Sequence, residues 1–500
     1  MELVLPSFPL LLSFLLFVFM VLRIKKRSKT NYETSNLPPG PPKLPLIGNL
    51  HQLISAGSLP HHGLRDLAKK YGPLMHLQLG EISAVVISSP EFAEQVLKTH
   101  DAIFASRPYT EITRIVSYDF NDIAFSPYGE YWRKLRSICT LELLSAKQVQ
   151  NFRSLREEEV SSLVNWIASK AGSVINLTDK LFQLSYAITS RATVGRKCKD
   201  HELLMSVMEE TMKLLGGFGV ADLFPSIKLL QSISGNGSKM ERLHRETDRI
   251  LENIIKEHKI SDLSEVNKDL LDLLLEFQGR GDLQFPLTRE NIKAVIFDVF
   301  AGGGDTASTV MEWTMSEMIK NPRLMKRAQD EVREVFNRRG KVDEAGIEEM
   351  KFLKPVIKET LRLHPAGPLL LPRENGERGE INGFNIPAKT KVIVNAWAMS
   401  RDPKYWTEPE SFNPERFLNS SIDFKGSNFN YLPFGAGRRT CPGSFYGLAN
   451  VEIVLAMLLY HFDWKLPNRM KNEDLDMTEV FGLSLRRKND LCLIPIPYHP

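Results

Sequence analysis

Hydrophobic and polar positions follow several distinct patterns along this 500-residue chain, and the first is a continuous apolar run. Residues 3–22 are almost entirely apolar, which is about the length that crosses a bilayer core, and the basic segment 23–29 follows them. A cleaved signal peptide carries its positive charge before the apolar run, whereas here Glu2 precedes it. The pattern therefore predicts a retained membrane anchor with the remaining chain in the cytosol. A buried core helix is the alternative.

Further along, the pattern changes between a period of two and a helical period. Alternation over residues 75–87 predicts a β-hairpin, residues 381–395 form a second β-rich patch, and residues 491–497 read as a C-terminal strand. The remainder predicts a mainly α protein with small β-sheets, of α+β class. Amphipathic helical runs are expected near 91–99, 129–144, 147–169, 202–215, 238–258, 267–277, 288–320, 322–337 and 353–363, with a loop at 232–238.

A proline-rich stretch separates the anchor from these elements. Residues 37–42 read L-P-P-G-P-P, which is too rich in proline for a helix or a sheet interior and is stiff when extended. The sequence thus predicts an anchor with a basic stop at 1–30, a hinge at 31–45 and one domain at 46–500. A ligand for a proline-recognition domain is the alternative for the hinge.

Composition narrows the class of protein without naming a function. A quarter of the residues are charged, the net charge is +4 and 43% are hydrophobic, which is typical of a globular body and does not suggest nucleic-acid binding. The four cysteines are widely spaced, with no Cys-x-x-Cys pair, so neither a disulfide framework nor a cysteine zinc site is expected. They are Cys139, Cys198, Cys441 and Cys492.

One of these cysteines lies in a glycine-bounded loop. Residues 434–443 read F-G-A-G-R-R-T-C-P-G, and an apolar helical run follows at 447–459. We expect Arg438, Arg439, the loop amides and the N-terminus of the following helix to lower the pKa of Cys441 and to stabilise a metal-binding thiolate. A buried structural thiol is the alternative, since most intracellular cysteines are of that kind.

The residues around that cysteine carry a family resemblance. Phe434, Gly437, Arg439, Cys441 and Gly443 match the F-x-x-G-x-R-x-C-x-G signature of cytochromes P450. The sequence therefore resembles a haem-thiolate enzyme. The resemblance implies the cytochrome P450 fold and a haem b whose iron is ligated axially by Cys441, with Phe434 and Arg439 in the cofactor site.

The predicted helix at 288–320 contains an unusual run of three glycines. In residues 301–306, A-G-G-G-D-T, these glycines cost an isolated helix about 2–3 kcal/mol relative to alanines. We therefore expect another group to approach the backbone closely, or the helix to open locally. A loop between two helices is the alternative.

The same run extends the resemblance to the expected catalytic residues. Gly302, Gly303, Asp305 and Thr306 match the family's A/G-G-x-D/E-T element. The resemblance implies that Thr306 and Asp305 deliver protons during oxygen activation. The chain departs from the pattern at Ala307, where Ser or Thr is common, and at Gly302, where alanine is usual. Neither departure removes the pair of acid and hydroxyl.

Two further motifs are expected to bind and support the haem. Trp132 and Arg136 match W-x-x-x-R, and with Arg373 and Arg439 they are expected to hold the two haem propionates. A plain amphipathic helix also explains the first pair. The nearby side chains Arg133, Lys134 and Arg438 are expected to offer a docking surface to an acidic flavoprotein.

A second motif pair is expected to be structural. Residues 359–362, E-T-L-R, and 414–417, P-E-R-F, resemble the family's Glu-Arg-Arg network. Glu359, Arg362 and Arg416 are then expected to form a buried network that supports the cysteine loop. Taken alone, the first pair reads as an ordinary exposed i, i+3 ion pair.

Four segments are expected to line the substrate pocket: residues 117–125, 297–302, 366–371 and 480–485. Most of their residues are apolar or small, which suits a hydrocarbon-like ligand. Residues 223–225, L-F-P, are expected to dip into the membrane as an access route for the substrate.

Across its length the chain resembles plant A-type cytochromes P450. Within that group it most resembles the mono-, sesqui- and diterpene hydroxylases, and among these the casbene oxidases. The resemblance implies a monooxygenase that inserts one oxygen atom from O2 into a terpenoid. Its electrons come from NADPH through NADPH–cytochrome P450 reductase, which carries the flavins. The resemblance also implies an endoplasmic reticulum membrane protein with one span and a cytosolic catalytic domain.

Other functions remain open at this point. Alternative substrates for such a monooxygenase are a fatty acid, an alkaloid and a phenolic compound. A haem-thiolate isomerase or dehydratase of the same fold needs no reductase, and a haem sensor or membrane scaffold needs no catalysis. The Asp305–Thr306 pair favours the monooxygenase, because the other classes do not need it.

Overall fold

The structure is a computed structural model that describes residues 36–499 except 56, 58, 217–218, 234, 259–267 and 281–285. The predicted anchor at 1–30 and the hinge residues 31–35 lie outside the described residues. Within the described part, Ser444–His461 is the helix long and apolar enough to cross a membrane, and more than half of it is buried in the protein interior. It is a core helix, so it gives no support to the predicted span.

Helices make up most of the described chain, which confirms the predicted fold class. Short π-helical turns at Gln95–Thr99 and Cys139–Leu143 extend two of the helices, and short 3-10 turns occur at Pro414–Phe417, Gly437–Arg439, Pro467–Arg469 and Asn472–Asp474. The helices are α1 Leu50–Ser55, α2 Pro60–Tyr71, α3 Pro90–Glu94, α4 Glu111–Val116, α5 Glu130–Ile138, α6 Ala146–Asn151, α7 Arg153–Ala168, α8 Leu177–Val194, α9 His201–Gly216, α10 Val220–Leu223, α11 Lys228–Ile233, α12 Asn236–Glu257, α13 Leu270–Arg280, α14 Arg289–Lys320, α15 Pro322–Arg339, α16 Glu344–Ile347, α17 Leu353–Leu363, α18 Ala396–Met399 and α19 Ser444–His461.

The strands form small sheets at the edges of this helical body. They are β1 Leu74–Leu79, β2 Ile82–Ile87, β3 Ile175–Asn176, β4 Arg373–Glu374, β5 Gly379–Ile381, β6 Phe384–Ile386, β7 Lys391–Val394, β8 Phe462–Lys465, β9 Glu479–Val480, β10 Arg486–Arg487 and β11 Cys492–Pro497. One sheet has the order β1-β2-β7-β4, another has the order β3-β11-β8, and β5–β6 and β9–β10 pair alone. The predicted hairpin is confirmed, with Leu74 opposite Ile87.

The long helix α14 runs unbroken through its three glycines, so the alternative of a loop at this point is wrong. A Cβ atom on Gly303 would lie 2.9 Å from Thr189 Oγ1, and one on Gly304 would lie 2.5 Å from the Tyr186 ring. Both partners belong to α8, which therefore packs directly against the α14 backbone. A Cβ on Gly302 would meet nothing within 4 Å. Two of the glycines thus allow close packing, and the third faces open space.

Helix α8, the partner in this crossing, was missed by the hydrophobic periodicity. Most of its residues are buried, including Ser185, Thr189 and Thr193. A helix that is buried on nearly every side has no polar stripe, so the amphipathic pattern that reveals a surface helix is absent. The small polar side chains also interrupt what would otherwise be a continuous apolar run. Helix α2, Pro60–Tyr71, was missed as well.

The packing at the crossing predicts different effects for two alanine substitutions. Gly304→Ala should lower the thermal unfolding midpoint, because its Cβ overlaps the Tyr186 ring and overpacking of this kind costs about 1–3 kcal/mol. Gly302→Ala is the matched control. It should leave the midpoint unchanged or raise it, since alanine favours a helix by about 1 kcal/mol over glycine. Equal lowering in both variants would contradict this account of the crossing.

Candidate functional site

The loop at residues 434–443 forms a tight turn that presents Cys441. The Cys441 amide donates to the Phe434 carbonyl oxygen at 2.9 Å. Gly435 and Gly437 both have positive φ, and a Cβ on Gly437 would lie 1.8 Å from the Leu97 carbonyl oxygen, so only glycine fits there. Helix α19 begins three residues after Cys441, which is slightly earlier than the sequence pattern predicted.

Burial raises the pKa of the Cys441 thiol, and two nearby groups oppose that effect: the Gly443 amide and the Arg136 guanidinium. The expected pair, Arg438 and Arg439, does not do this. Half of the Arg438 side chain is exposed, and its amide donates to Asp101 at 2.6 Å. Arg439 donates to backbone carbonyls away from the sulfur, so the prediction for these two residues was wrong.

The middle of α14 carries two exposed residues in an otherwise buried stretch. Gly302 and Thr306 are exposed, although Gly304, Asp305 and Ala307 next to them are buried. An exposed strip in the middle of an otherwise buried core helix faces an internal space and not the outer surface. Helix α19, which follows the cysteine loop, passes close to α14 here, since a Cβ on Gly303 would lie 3.6 Å from the Tyr446 ring, an ordinary contact distance.

Four arginines gather beside the cysteine loop. The sequence predicted a group of haem-binding side chains here: Trp132, Arg136, Arg373 and Arg439. The structure brings these side chains together and adds Arg107, which was not predicted. The Arg439 guanidinium lies 4.1 Å and that of Arg136 5.9 Å from the centroid of the Trp132 ring. Most of their hydrogen bonds go to backbone carbonyls: Arg107 donates to Ala124, Leu371 and Pro372, Arg136 to Thr440, Arg373 to Ala436, and Arg439 to Ala105, Ile123 and Ser126.

This cluster carries more positive charge than its surroundings balance. Among the described residues, only Arg373 of the four pairs with a carboxylate, that of Asp101 at 2.5 Å. Burial and the charge of Arg373 lower the pKa of Arg439 to about 9. The pKa of Arg107 is also lowered by burial and by the neighbouring guanidinium groups.

Buried charges without counter-ions are unfavourable, so the cluster fits a ligand that has acidic groups of its own. The two propionates of haem are such groups. A half-buried thiol, an internal cavity and excess buried cations together fit the cofactor that the sequence implied.

Sequence reasoning gave no signal for Arg107 or Asp101, because neither belongs to a helical or strand pattern near the motifs. It also missed Asp298 on α14. Its Oδ2 accepts the amides of Ile123 and Ala124 at 2.8 and 3.1 Å and so fixes the loop at 117–125. Burial and the neighbouring Asp122 raise the pKa of Asp298 well above its ordinary value.

Asp305 and Thr306 are adjacent in sequence but bond to different partners. The Thr306 hydroxyl lies on the exposed strip of α14 and donates to the Gly302 carbonyl at 2.6 Å. Asp305 is buried and pairs with Arg486 on β10. Its second oxygen, Oδ2, has no hydrogen-bond partner among the described residues. The structure therefore places the acid behind the hydroxyl and not in contact with it.

The structure confirms the buried network of Glu359, Arg362 and Arg416. Arg362 donates two hydrogen bonds of 2.8 Å to Glu359, and Arg416 donates one of 3.1 Å. Arg362 also donates to the carbonyls of Ser400 and Pro409. These bonds tie α17 to the segment that leads into the cysteine loop.

A mostly apolar cavity with about 1010 Å³ of empty space lies next to this site and opens to solvent. It is lined by parts of three predicted segments, namely Phe125, residues 368–371 and residues 481–483, but by no part of 297–302. Leu223 also lines it and is buried, whereas Val220 and Pro225 on either side of it are exposed. Membrane contact by the segment 223–225 stays a prediction.

Comparison with known proteins agrees with this geometry. The family model described as Cytochrome P450 matches residues 38–493. Premnaspirodiene oxygenase from Hyoscyamus muticus is 51% identical, over 98% of this chain and 98% of that protein. Salviol synthase from Salvia pomifera is 52% identical over 99% and 98%, and tabersonine 6,7-epoxidase isoform 1 from Catharanthus roseus is 52% identical over 97% and 97%. The structure of a zebrafish cytochrome P450 with abiraterone is 26% identical, with a TM-score of 0.75 over 89% of this chain and 100% of that chain.

The site predicts that only one cysteine is needed for the haem-thiolate spectrum. Cys441→Ser should abolish the spectrum of the reduced carbon monoxide complex, because the iron loses its sulfur ligand. Cys139→Ser, Cys198→Ser and Cys492→Ser should retain it, since the first two thiols are buried elsewhere and the third lies on β11. An unchanged spectrum from the Cys441→Ser protein would contradict the assignment.

Proposed function

This chain belongs to the cytochrome P450 family of monooxygenases, which bind haem through a cysteine thiolate, and from that premise we propose that it inserts one oxygen atom from O2 into a terpenoid. The observation that supports the substrate class most directly is the apolar cavity, in which the few polar side chains are Thr110, Thr113, Asp222 and Lys391. A site of this kind selects a ligand by shape and apolar contact. Premnaspirodiene and salviol, in the names of two relatives, are terpenoids.

Bound haem supplies the activation of O2, and its thiolate ligand favours cleavage of the O–O bond. In our proposal the residues of the protein position the haem and balance the negative charge of its propionates. Cys441 holds the iron from a turn that glycine alone permits. Arg136, Arg373 and Arg439, together with Trp132, orient the cofactor through its propionates, and Phe434 packs beside the sulfur loop.

We further propose that Thr306 and Asp305 handle protons. The Thr306 hydroxyl lies on the exposed strip of α14, where in this proposal it holds a proton close to the bound ligand. Asp305 has one carboxylate oxygen without a partner and can replenish that proton through water. Because its other oxygen is paired with Arg486, this arginine controls how far the carboxylate can turn.

Electrons in this proposal come from NADPH through NADPH–cytochrome P450 reductase, which supplies the flavins. Arg133 is exposed on α5, and the Arg438 side chain is half exposed beside the cysteine loop. Both lie near the sulfur side of the site, where an acidic flavoprotein would shorten the path for electrons. Residues 1–30 would anchor the enzyme in the endoplasmic reticulum membrane with the catalytic domain in the cytosol.

An alkaloid is the second candidate substrate, because the relative named for tabersonine is as similar as those named for terpenoids. Among terpenoids we favour a diterpene such as casbene. The test is NADPH-dependent turnover in microsomes with a reductase, using casbene, a sesquiterpene, a monoterpene and tabersonine. Oxygenation of a terpene supports the proposal. Turnover of tabersonine alone would overturn the substrate class, and conversion without NADPH would overturn the monooxygenase reaction.

Loss of the Thr306 hydroxyl should uncouple the consumption of NADPH from the formation of oxygenated product. Thr306→Ala should still bind substrate, but a larger share of the NADPH should be consumed in making hydrogen peroxide, because proton delivery is impaired. Thr309→Ala is the matched control, since its hydroxyl also bonds four residues back but is buried. The measurement is hydrogen peroxide formed per NADPH. Equal ratios in both variants would contradict the role of Thr306.

A large side chain at Gly367 should change where the substrate reacts. The nearest atom to a Cβ placed there is Leu370 Cα at 3.9 Å, and residue 368 lines the cavity. Gly367→Phe should shift a substrate held by apolar contacts by about an ångström, which alters the product ratio or excludes a bulky diterpene. Haem content should not change.

Gly376→Phe is the control, because a Cβ at Gly376 meets nothing within 4 Å and the residue lies on an exposed turn. Product ratios from one terpene are compared per haem. Identical products and rates for wild type and Gly367→Phe would show that residue 367 does not line the pocket.

A further inference from the structure

Three histidines surround one glutamate at the start of β9, in a cluster that the proposed reaction does not use. Glu479 Oε2 lies 3.1 Å from His61 Nε2 and 3.3 Å from His62 Nε2. Its other oxygen lies 3.7 Å from His364 Nδ1. His61 and His62 begin α2 and His364 ends α17, so the cluster joins three elements that are distant in sequence.

We propose that His61, His62 and Glu479 form a binding site for a divalent transition metal, with Zn²⁺ as the ion that fits best. The ligand atoms of the three residues all lie within 4.8 Å of one another. Zinc bonds to imidazole nitrogen and carboxylate oxygen at about 2.0–2.2 Å, so neighbouring ligands in a tetrahedron are about 3.3 Å apart. The two nitrogen-to-oxygen distances at Glu479 match that spacing.

The chemistry of the ligands selects the class of ion. Two imidazoles and one carboxylate are borderline donors that suit zinc, whereas calcium and magnesium prefer oxygen ligands throughout. His62 Nε2 is buried and makes no hydrogen bond among the described residues, and it lies 3.3 Å from Glu479 Oε2, so in its unprotonated form this nitrogen is placed to coordinate an ion together with that oxygen.

His364 supports the same interpretation. Its Nε2 lies 2.7 Å from Glu317 Oε1, and its ring stacks on Trp313 with centroids 3.9 Å apart. When Nε2 donates to that carboxylate, Nδ1 is an acceptor and faces the acceptor oxygen of Glu479. A cation between the two would stabilise this arrangement. His364 is not a ligand in this proposal but would be an outer partner of the Glu479 carboxylate, and such partners commonly orient the carboxylates of metal sites.

The surroundings allow a metal to enter and to be held. His61 is fully buried and the Glu479 side chain is 9% exposed, whereas the His62 side chain is 34% exposed and provides an access path. Trp397 stacks on the His62 ring at 4.2 Å and covers the site. Arg401 also lies near the cluster, where its charge acts on both Glu479 and Glu410, and its Nε is 3.2 Å from Glu410 Oε2.

A metal here would fix part of the substrate cavity. Residues 481–483 line the cavity and follow Glu479 directly, and the Phe481 ring stacks on His61 with centroids 5.9 Å apart. Coordination would therefore clamp the β9–β10 hairpin to α2. The site is independent of which substrate the enzyme oxidises.

The test uses the full-length, haem-loaded protein after treatment with a chelator. Zinc chloride is titrated by calorimetry, and zinc per haem is measured by mass spectrometry after gel filtration. Wild type should retain one zinc per chain. His62→Ala and Glu479→Gln should bind zinc at least about tenfold more weakly. His51→Ala, a partly buried histidine on α1, should bind it like wild type.

The spectrum of the reduced carbon monoxide complex confirms folding in each variant, and zinc-edge X-ray absorption should show two imidazoles. The proposal is overturned if wild type retains no zinc after chelator treatment, addition of zinc chloride and gel filtration. It is also overturned if His62→Ala and Glu479→Gln bind zinc as tightly as wild type does. Either result would show that hydrogen bonds and ion pairs, and not a metal ion, hold the cluster together.

Discussion

The excess of buried positive charge beside Cys441 is the constraint on which the rest of the site depends. Arg107, Arg373 and Arg439 are buried and Arg136 is half buried, while Asp101 neutralises only one of them. An unpaired buried ion costs several kcal/mol, so the backbone carbonyls that accept from these arginines offset only part of the cost. In our proposal the two propionates of haem supply the remainder. Haem binding would then join the loop at 117–125, the strand β4, the helix α5 and the cysteine loop.

The position of α14 depends on close packing instead of charge. Gly303 and Gly304 let α8 lie against the backbone of α14, next to Asp305 and Thr306. Asp298 on the same helix holds the loop at 117–125 through two amides. One helix thus positions the proposed proton donor and a wall of the substrate space. A change in its packing should affect both.

The sequence predicted the parts of the site that lie within short motifs. Cys441, Trp132 and Arg136 were recognisable because their chemistry and spacing are local. Arg107 and the pairing of Asp305 with Arg486 were not, because each contact joins segments far apart in the chain and follows no period. Helix α8 was hidden for a different reason, since full burial removes the polar face that reveals a helix. The effect of Arg438 and Arg439 on the pKa of Cys441 was misassigned because sequence adjacency does not fix the direction of a side chain.

The most direct test of the charge balance is the rate at which haem is lost to an excess of a scavenger protein. Arg136→Met removes one cation of the cluster and few hydrogen bonds, whereas Arg133→Met removes an exposed arginine from the same helix. The account predicts loss at least about tenfold faster for Arg136→Met, since a charge-assisted contact of this kind is worth about 1.5–3 kcal/mol, and no change for Arg133→Met. Equal rates for the two variants would contradict the claim that the arginine cluster is built to hold the acidic groups of the cofactor.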